Sequence, residues 1–194
     1  YILGDREKSW EVFSAMGDVD GPKKILIRAT THIVEQHRLL REEEARWEEP
    51  IDKPSPWMLD REQREYAMAD RIALLSSFAY DSCLRQGIDG RKLGKTLLAG
   101  EVSRFKPTER AVAERRARIL GRQPLRVLMV GSLTPRKGAR DFVELAGLCV
   151  GRAEFRFVGD IPKSARALVQ RMGGHVELVN RVPEHELPSC YRWA

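Results

Sequence analysis

Basic residues and glycines collect between the apolar run LRVLMVG (125–131) and a helix that should begin at Thr134-Pro135. A near-continuous apolar run is typical of a parallel strand covered on both faces, and a hydroxyl followed by proline is typical of a helix start. Glycine lets backbone and ligand approach closely, and a helix N-terminus attracts anions. The turn is therefore a candidate anion site, unless Lys137 is an ordinary exposed lysine. The candidate residues are Gly131, Ser132, Arg136, Lys137 and Gly138.

The second half of the chain alternates predicted strands with predicted helices. Further strands are expected at 154–159 and 176–182, with a helix between them from Ala165 to Met172. Strand, helix, strand, helix, strand predicts a parallel α/β sheet, whose ligands bind beyond the carboxyl ends of the strands. Residues at those ends either border a ligand or are ordinary strand-to-loop residues. The candidates are Gly159, Asp160, Arg181 and Val182.

The first half predicts a second α/β region. A short buried strand at 25–29 ends in Thr30-Thr31-His32, and a long helix should follow from Ile33 to Trp47. Pro50, Pro54 and Pro56 predict a loop at 49–57. The remaining predictions are a helix at 6–16, a helix at 59–69, a strand at 71–75 and a helix capped by Ser76-Ser77 that runs to Arg85.

The composition is that of a soluble globular protein. The chain has 194 residues, of which 42% are hydrophobic and 32% charged, and no apolar run approaches the ~20 residues of a membrane helix. The three cysteines, Cys83, Cys149 and Cys190, are widely spaced and form no CxxC. This pattern disfavours a zinc site or a disulfide framework, and it fits a reducing cytoplasm.

The net charge of +6 admits several partners. Nucleic acid, an anionic membrane surface and phosphorylated ligands would all be attracted, whereas the plainest explanation is a solvated helix face. A nucleic-acid-binding protein rests on charge alone, because no recognised nucleic-acid-binding motif is present, and we expect no nucleic-acid partner. The basic residues are concentrated in one segment and comprise Arg104, Lys106, Arg110, Arg115, Arg116, Arg118, Arg122 and Arg126.

Four stretches in fixed order carry a family resemblance. They are RATTHIVEQHRLLREEE (28–44), REYAMADRIALLSSFAYDSCLRQGI (64–88), LLAGEVSRFKP (97–107) and LRVLMVGSLTPRKGARDFVELA (125–146). From about Lys24 to Ala194 the sequence resembles family 4 of the GT-B glycosyltransferases. The second stretch is similar to the motif E-Y-x-x-A-D-x-I of that family, and the fourth to its strand followed by G-R-x-x-x-x-K-G.

The resemblance implies an α/β fold of two Rossmann-like GT-B domains, both incomplete in this chain. The N-terminal, acceptor-side domain would span 1–103 and the nucleotide-sugar domain 104–194, with the hinge near 101–107. The implied reaction moves a sugar from a nucleoside-diphosphate sugar to a glycan or lipid-linked acceptor. It would be retaining and would use neither metal nor cofactor. The protein would act in the cytoplasm, with contact at the inner face of the membrane as an open alternative.

The resemblance also implies roles for individual residues. Lys137 matches the family lysine that meets the diphosphate, and positive charge there stabilises the leaving group. Arg181 and Val182 lie where backbone groups hold the base. His32 matches the histidine near the reacting centre and is the catalytic candidate: its imidazole would hydrogen-bond a sugar hydroxyl, or its carbonyl would stabilise developing positive charge. The alternative for His32 is a helix-capping or buried structural role.

The sequence departs from the family pattern at two points. Ser132 stands where the family has arginine, with Arg136 as a substitute that would point elsewhere, and the hinge has Glu101-Val102 after Gly100 instead of Val-Asp. A first strand and glycine-rich loop would precede Tyr1, and an E-x7-E motif would follow Ala194, so the chain alone should be inactive. A catalytically degenerate relative that binds a nucleotide or a partner is the alternative function.

Overall fold

The computed structural model describes residues 2–4, 9–17, 23–48, 50–96 and 102–194. The chain divides into two compact units, residues 1–99 and 100–194, whereas the sequence placed the boundary at 103/104. The hinge residues Gly100 and Glu101 lie outside the described residues, so the predicted hinge is described only from Val102 onward.

The first unit is an α/β fold whose parallel sheet has four described strands. The strands are β1 (Ile2–Gly4), β2 (Lys24–Arg28), β3 (Arg71–Leu74) and β4 (Leu93–Lys95), and they pair in that order. The helices are α1 (Ser9–Met16), α2 (Ile33–Trp47), α3 (Pro56–Met68) and α4 (Ser77–Arg85). All three strand pairs are parallel, so the carboxyl ends of β2, β3 and β4 share one edge.

The second unit is a parallel sheet of three described strands. The strands are β5 (Leu125–Ser132), β6 (Ala153–Asp160) and β7 (Val176–Asn180), again paired in order. The helices are α5 (Glu109–Leu120), α6 (Ala139–Leu148), α7 (Arg166–Arg171) and α8 (Leu187–Trp193). The register aligns Gly131 with Gly159, and Gly159 with Asn180. An α/β fold of two Rossmann-like units, as the sequence predicted, is confirmed.

Side-chain hydroxyl groups cap the N-termini of α3, α4 and α5. Ser55 Oγ accepts from Met58 N at 3.2 Å, Ser76 Oγ accepts from Ala79 N at 3.1 Å, and Thr108 Oγ1 accepts from Ala111 N at 3.2 Å. Each cap satisfies a backbone N–H that has no partner within its own helix. The predicted cap at Ser76 is confirmed. α3 begins at Pro56, three residues before the predicted start, because proline is favoured in the first turn.

The predicted helix start at Thr134-Pro135 is wrong. Pro135–Lys137 form a 3₁₀ turn, the Thr134 side chain makes no capping bond, and Gly138 follows with φ +75°. A residue in the left-handed conformation interrupts the helical hydrogen bonds. α6 therefore begins only at Ala139, with Gly138 as its N-cap.

Each unit has its own apolar core. Phe13, Ile33, Ile72 and Leu74 are fully buried in the first unit. The core of the second unit is centred on Leu133, Ala139, Phe157 and Met172. β5 is not covered on both faces as predicted: Leu125 is exposed and residues 126–132 are half-buried, because β5 lies at the edge of the three-stranded sheet.

No helix within the described ranges combines the length and the apolar character needed to cross a membrane.

Candidate functional site

Two glycines meet at the carboxyl ends of β5 and β6. Gly131 has φ +145° and Gly159 has φ +149°, and the register places them side by side. A Cβ atom on Gly159 would lie 1.8 Å from the Gly131 carbonyl oxygen, so no other residue fits there. A Cβ on Gly131 would have no described atom within 4 Å. The backbone at Gly131 is therefore open to a ligand.

Ser132 and Asp160 are the next aligned pair beyond the glycines. Ser132 Oγ lies 3.4 Å from Asp160 Oδ2, and the backbone N–H of Leu133 donates to the Asp160 carbonyl at 2.9 Å. Asp160 is exposed and Ser132 half-buried. A carboxylate thus stands beside the position where the resemblance expects a cation.

The turn that carries Lys137 uses its own backbone N–H groups. Lys137 N donates to Thr134 O at 3.0 Å, Gly138 N to Pro135 O at 2.9 Å, and Ala139 N to Thr134 O at 3.3 Å. The expectation that backbone N–H groups around Lys137 would meet an anion is therefore wrong for residues 137–139. The side chains of Arg136 and Lys137 are both exposed, so any positive charge offered here comes from the side chains.

The end of β7 carries a polar residue, Asn180, that the sequence analysis did not predict as a site residue. β7 ends at Asn180, which aligns with Gly159, so Arg181 and Val182 follow the strand instead of ending it. Arg181 is exposed and Val182 half-buried. Asn180 brings an amide, both donor and acceptor, to the edge that carries Gly131 and Gly159. The signal was a polar residue at the end of the apolar run VELVN.

His32 lies in the first unit, between the end of β2 and the start of α2. It is 3% exposed, and its Nδ1 accepts from Val34 N at 3.3 Å, so it is the N-cap of α2. Its backbone N–H donates to Ser82 Oγ at 2.9 Å. Burial, with a smaller contribution from the charge of Arg28, lowers the pKa of His32 to about 4. The imidazole is therefore neutral at physiological pH.

A buried polar network lies behind His32. Arg28 Nη1 and Glu62 Oε2 are 2.6 Å apart, with side-chain exposures of 5% and 7%. The Tyr66 hydroxyl donates to Glu62 Oε2 at 2.9 Å and accepts from Ile33 N at 3.2 Å, while its ring centroid is 4.7 Å from that of His32. Burial raises the pKa of Tyr66 well above its usual range, so the hydroxyl keeps its proton.

The residues that match E-Y-x-x-A-D all make structural contacts. Glu65 accepts from Trp10 N at 3.1 Å, and burial raises the pKa of its carboxyl. Tyr66 contacts His32, and Ala69 is 1% exposed in the core. Asp70 accepts from Lys24 N at 2.8 Å while its own N–H donates to Lys24 O at 2.9 Å. This motif therefore ties α3 to α1 and to His32, and the start of β3 to β2.

Half of the basic segment is paired with carboxylates. Arg104 contacts Glu184 at 2.6 Å, Arg110 contacts Glu114 at 2.7 Å, and both Arg118 and Arg126 contact Glu154 at 3.2 and 3.1 Å. The other four basic residues, Lys106, Arg115, Arg116 and Arg122, are exposed. The segment is thus a mixture of structural ion pairs and a solvated face.

The cysteines are free, and Cys83 and Cys190 are buried. Within the described part of the chain, no three His, Cys, Asp or Glu residues form a group that could hold a metal ion.

Comparisons with known proteins bear on the fold. No protein-family model matches this chain, and no curated protein matches it either. Among solved structures it is similar to HepE from Anabaena in complex with UDP, with a TM-score of 0.55 and 12% identity over 92% of this chain and 53% of that one. The HepE structure with UDP-glucose gives a TM-score of 0.53 at 14% identity over 93% and 52% of the two chains. The structure with UDP and glucose gives 0.51 at 14% identity over 94% and 54%.

The fold is of the GT-B type. The chain spans about half the length of the HepE structures that it matches. Within its second unit, the GT-B fold brings together Gly131, Ser132, Gly159 and Asp160 at one sheet edge. Arg136, Lys137 and Gly138 follow that edge in the turn after β5. His32 is in the other unit, at the carboxyl edge of the first sheet.

Proposed function

We propose that this protein is a glycosyltransferase that moves a sugar from a nucleoside-diphosphate sugar to an acceptor, and that its second unit binds the donor. One observation carries the proposal: the aligned glycines Gly131 and Gly159 leave an open backbone surface at the sheet edge, and the exposed Lys137 turn follows it. This arrangement occurs in a fold shared with HepE, which was solved with UDP-glucose. The donor-side unit would span 104–194 and the acceptor-side unit 1–103.

The positive side chains that follow β5 would stabilise a leaving diphosphate. Lys137, with Arg136 beside it, supplies positive charge that stabilises the negative charge released when the glycosidic bond breaks. Gly131 and Gly138 allow close approach of the diphosphate to the backbone. Asn180, Arg181 and Val182 at the end of β7 offer side-chain and backbone groups to the base or ribose.

His32 belongs to the acceptor-side half of the proposal. A neutral imidazole cannot give up a proton as a general acid near pH 7, but its N–H can donate a hydrogen bond to a sugar hydroxyl. The buried contacts of His32 suit this fixed role, and its capping bond leaves only one ring nitrogen for a substrate.

The remaining features of the reaction rest on the family resemblance. They are retention of configuration, independence from metals and cofactors, and a glycan or lipid-linked acceptor in polysaccharide biosynthesis. A cytoplasmic location, with the basic segment in contact with the inner face of a membrane, belongs to the same proposal.

A degenerate, nucleotide-binding relative is the second candidate function, and one contact favours it. Asp160 lies 3.4 Å from Ser132, so the edge presents a carboxylate where a second cation would assist both binding and catalysis. Such a protein would bind the nucleotide weakly and transfer no sugar.

A donor screen tests the proposal directly. UDP-, GDP- and ADP-sugars are added to the full-length protein, and both the melting temperature and hydrolysis of the donor are measured. A ligand at 100 times its Kd stabilises a protein by about 2.7 kcal/mol, which a thermal shift detects. Binding that Lys137→Ala weakens and Lys163→Ala does not supports the donor site; Lys163 is also exposed in a 3₁₀ turn of the second unit.

The two candidate functions separate in the same screen. Binding with hydrolysis or transfer supports the enzyme, and binding without either supports the degenerate relative. Absence of binding to all three classes of donor would overturn both.

A further inference from the structure

His32 is held at three points by three different elements. Its Nδ1 accepts from Val34 N in α2, its backbone N–H donates to Ser82 Oγ in α4, and its ring packs against Tyr66 in α3 at an interplanar angle of 44°. Ser82 is itself fixed, because its hydroxyl donates to Ala79 O at 2.6 Å. The imidazole therefore has little freedom to rotate.

The Tyr66 ring is held in place from behind. Its hydroxyl bonds both Ile33 N and Glu62 Oε2, and Glu62 is paired with Arg28 at the end of β2. Arg28 also donates from Nε to Thr31 O at 3.1 Å and from Nη2 to Gln36 Oε1 at 3.2 Å. One guanidinium thus fixes the turn that precedes His32, the first turns of α2 and the carboxylate that holds Tyr66.

We propose that Arg28, Glu62 and Tyr66 are positioning residues that hold His32 as a neutral imidazole with its proton on Nε2. Because Nδ1 accepts a hydrogen bond from Val34 N–H, the proton of the neutral ring must be on the other nitrogen. Nε2–H is then a fixed donor at the end of β2. Its use on a hydroxyl of the transferred sugar rests on the proposed function, whereas the tautomer and the network do not.

The surrounding charges also favour the neutral ring. Arg28 disfavours a second positive charge nearby, and burial acts in the same direction, while Glu35 in α2 opposes them. Glu35 is itself engaged by Arg38 and by Arg85, which weakens its ability to stabilise an imidazolium. The titratable and charged groups linked to His32 directly or through one partner are Arg28 on β2, Glu35 and Arg38 on α2, Glu62 and Tyr66 on α3, and Cys83 and Arg85 on α4.

Imidazole NMR on the full chain tests the proposal without any donor or acceptor. With ¹⁵N-labelled histidine, long-range proton–nitrogen spectra report the tautomer and the pKa of each ring, and His32→Asn assigns the signal of His32. We expect one tautomer with the proton on Nε2, unchanged from pH 8 down to pH 5.5. A proton on Nδ1, or titration of His32 near 6.5, would overturn the proposal.

Tyr66→Phe separates positioning from simple packing. The ring against His32 remains, but Ile33 N–H and Glu62 lose their shared partner. We expect amide exchange at Ile33 to accelerate about tenfold or more, as expected when a buried hydrogen bond is lost. The His32 ring should then populate both tautomers. Tyr80→Phe is the matched control, because Tyr80 lies in the same unit against Lys95 and outside the network.

The activity measurement is independent of the spectra. In a protein that transfers sugar, Tyr66→Phe should lower kcat about tenfold or more and change the donor KM much less, since the proposed contacts to the diphosphate and the base lie in the other unit. A full-length parent protein without transfer activity would refute the proposed function and leave the tautomer result standing. A Tyr66→Phe variant with unaltered exchange and a single unaltered tautomer would refute the positioning role.

Discussion

The Cβ that Gly159 lacks would lie 1.8 Å from the carbonyl oxygen of Gly131. The two glycines lie one residue before the ends of neighbouring strands, and their close approach leaves no room for a side chain at position 159. The absence of side chains at positions 131 and 159 is therefore the first feature that gives a ligand access to this edge.

Gly159→Ala should destabilise the second unit by about 3 kcal/mol or more, because the new methyl group meets backbone and φ +149° is strained for alanine. Urea unfolding of the second unit measures it. Gly147→Ala is the control: this glycine is within α6, a Cβ there has no described atom within 4 Å, and the change should stabilise by about 0.5–1 kcal/mol. Equal stabilities for the two variants would contradict the observed approach of the strands.

Lys137→Ala should lower kcat/KM for the donor about 100-fold, comparable to the loss of one transition-state electrostatic contact. Steady-state kinetics with the donor found in the screen measure the change. Lys163→Ala should behave like the parent protein. Donor kinetics that ignore Lys137→Ala would remove this residue from the donor site.

Ser132→Arg should leave donor affinity unchanged or raise it only slightly, because the new guanidinium would be paired by Asp160. The double variant Ser132→Arg/Asp160→Asn frees that charge and should raise donor affinity about tenfold, near 1.4 kcal/mol. Calorimetric titration of the nucleotide sugar compares the two, with Asp160→Asn as the control. If the double variant binds no better than Asp160→Asn alone, position 132 does not face the diphosphate.

Lowering the pH should reduce the free energy of unfolding of the first unit, because His32 is buried in its neutral form. Its pKa is about 4 when folded and 6.5 ordinarily, so the unfolded chain takes up a proton first as the pH falls. The stability present above pH 6.5 is therefore lost between pH 6.5 and 4, in an amount of about 2 kcal/mol once solvent screening is allowed for.

Urea unfolding at pH 7 and pH 5 measures this loss. Three of the four tryptophans, Trp10, Trp47 and Trp57, are in the first unit and report on it by fluorescence. His32→Asn keeps a capping side chain and should flatten the pH dependence. Glu65 titrates in the opposite sense, but it is present in both proteins and cancels from the comparison. The same slope in both proteins would show that His32 is not the group responsible.

The exposed part of the basic segment should bind anionic vesicles at low salt. Each basic side chain near an anionic surface contributes about 1 kcal/mol, so changing Arg115, Arg116 and Arg122 together to glutamine should abolish co-sedimentation. Arg110→Gln is the control, since Arg110 is already paired with Glu114. Equal recovery on neutral lipid, or binding that is insensitive to salt, would leave the segment as a solvated face.

Local patterns predicted the long elements of the fold. The helix from Ile33 to Trp47 has the predicted bounds, because its cap and its apolar spacing agree. β1 and β4 were missed because three residues show no periodicity. The start of α6 was predicted wrongly at Thr134 because a capping hydroxyl is visible in the sequence. The left-handed φ of Gly138 is not visible there, since it depends on how the turn packs.

The residues of the candidate site could be predicted from sequence only where they lie at or just after the end of a recognisable strand. Gly131 and Gly159 were predicted as candidates in this way, and the register places them side by side. Their mutual contact was not predictable, because it depends on the twist and spacing of two strands. The Arg28–Glu62 pair was also missed, since residues 34 positions apart meet only after β2 and α3 pack together.

The buried Arg28–Glu62 pair has a consequence for how the first unit folds. Each charge loses its hydration on burial, and Glu62 supplies the carboxylate that pairs with Arg28, so a chain with α3 undocked would leave the Arg28 guanidinium without its counter-charge. Partly assembled forms in which β2 and α2 have collapsed without α3 are therefore disfavoured. The first unit should accordingly fold and unfold as one cooperative block, with no stable intermediate that lacks α3.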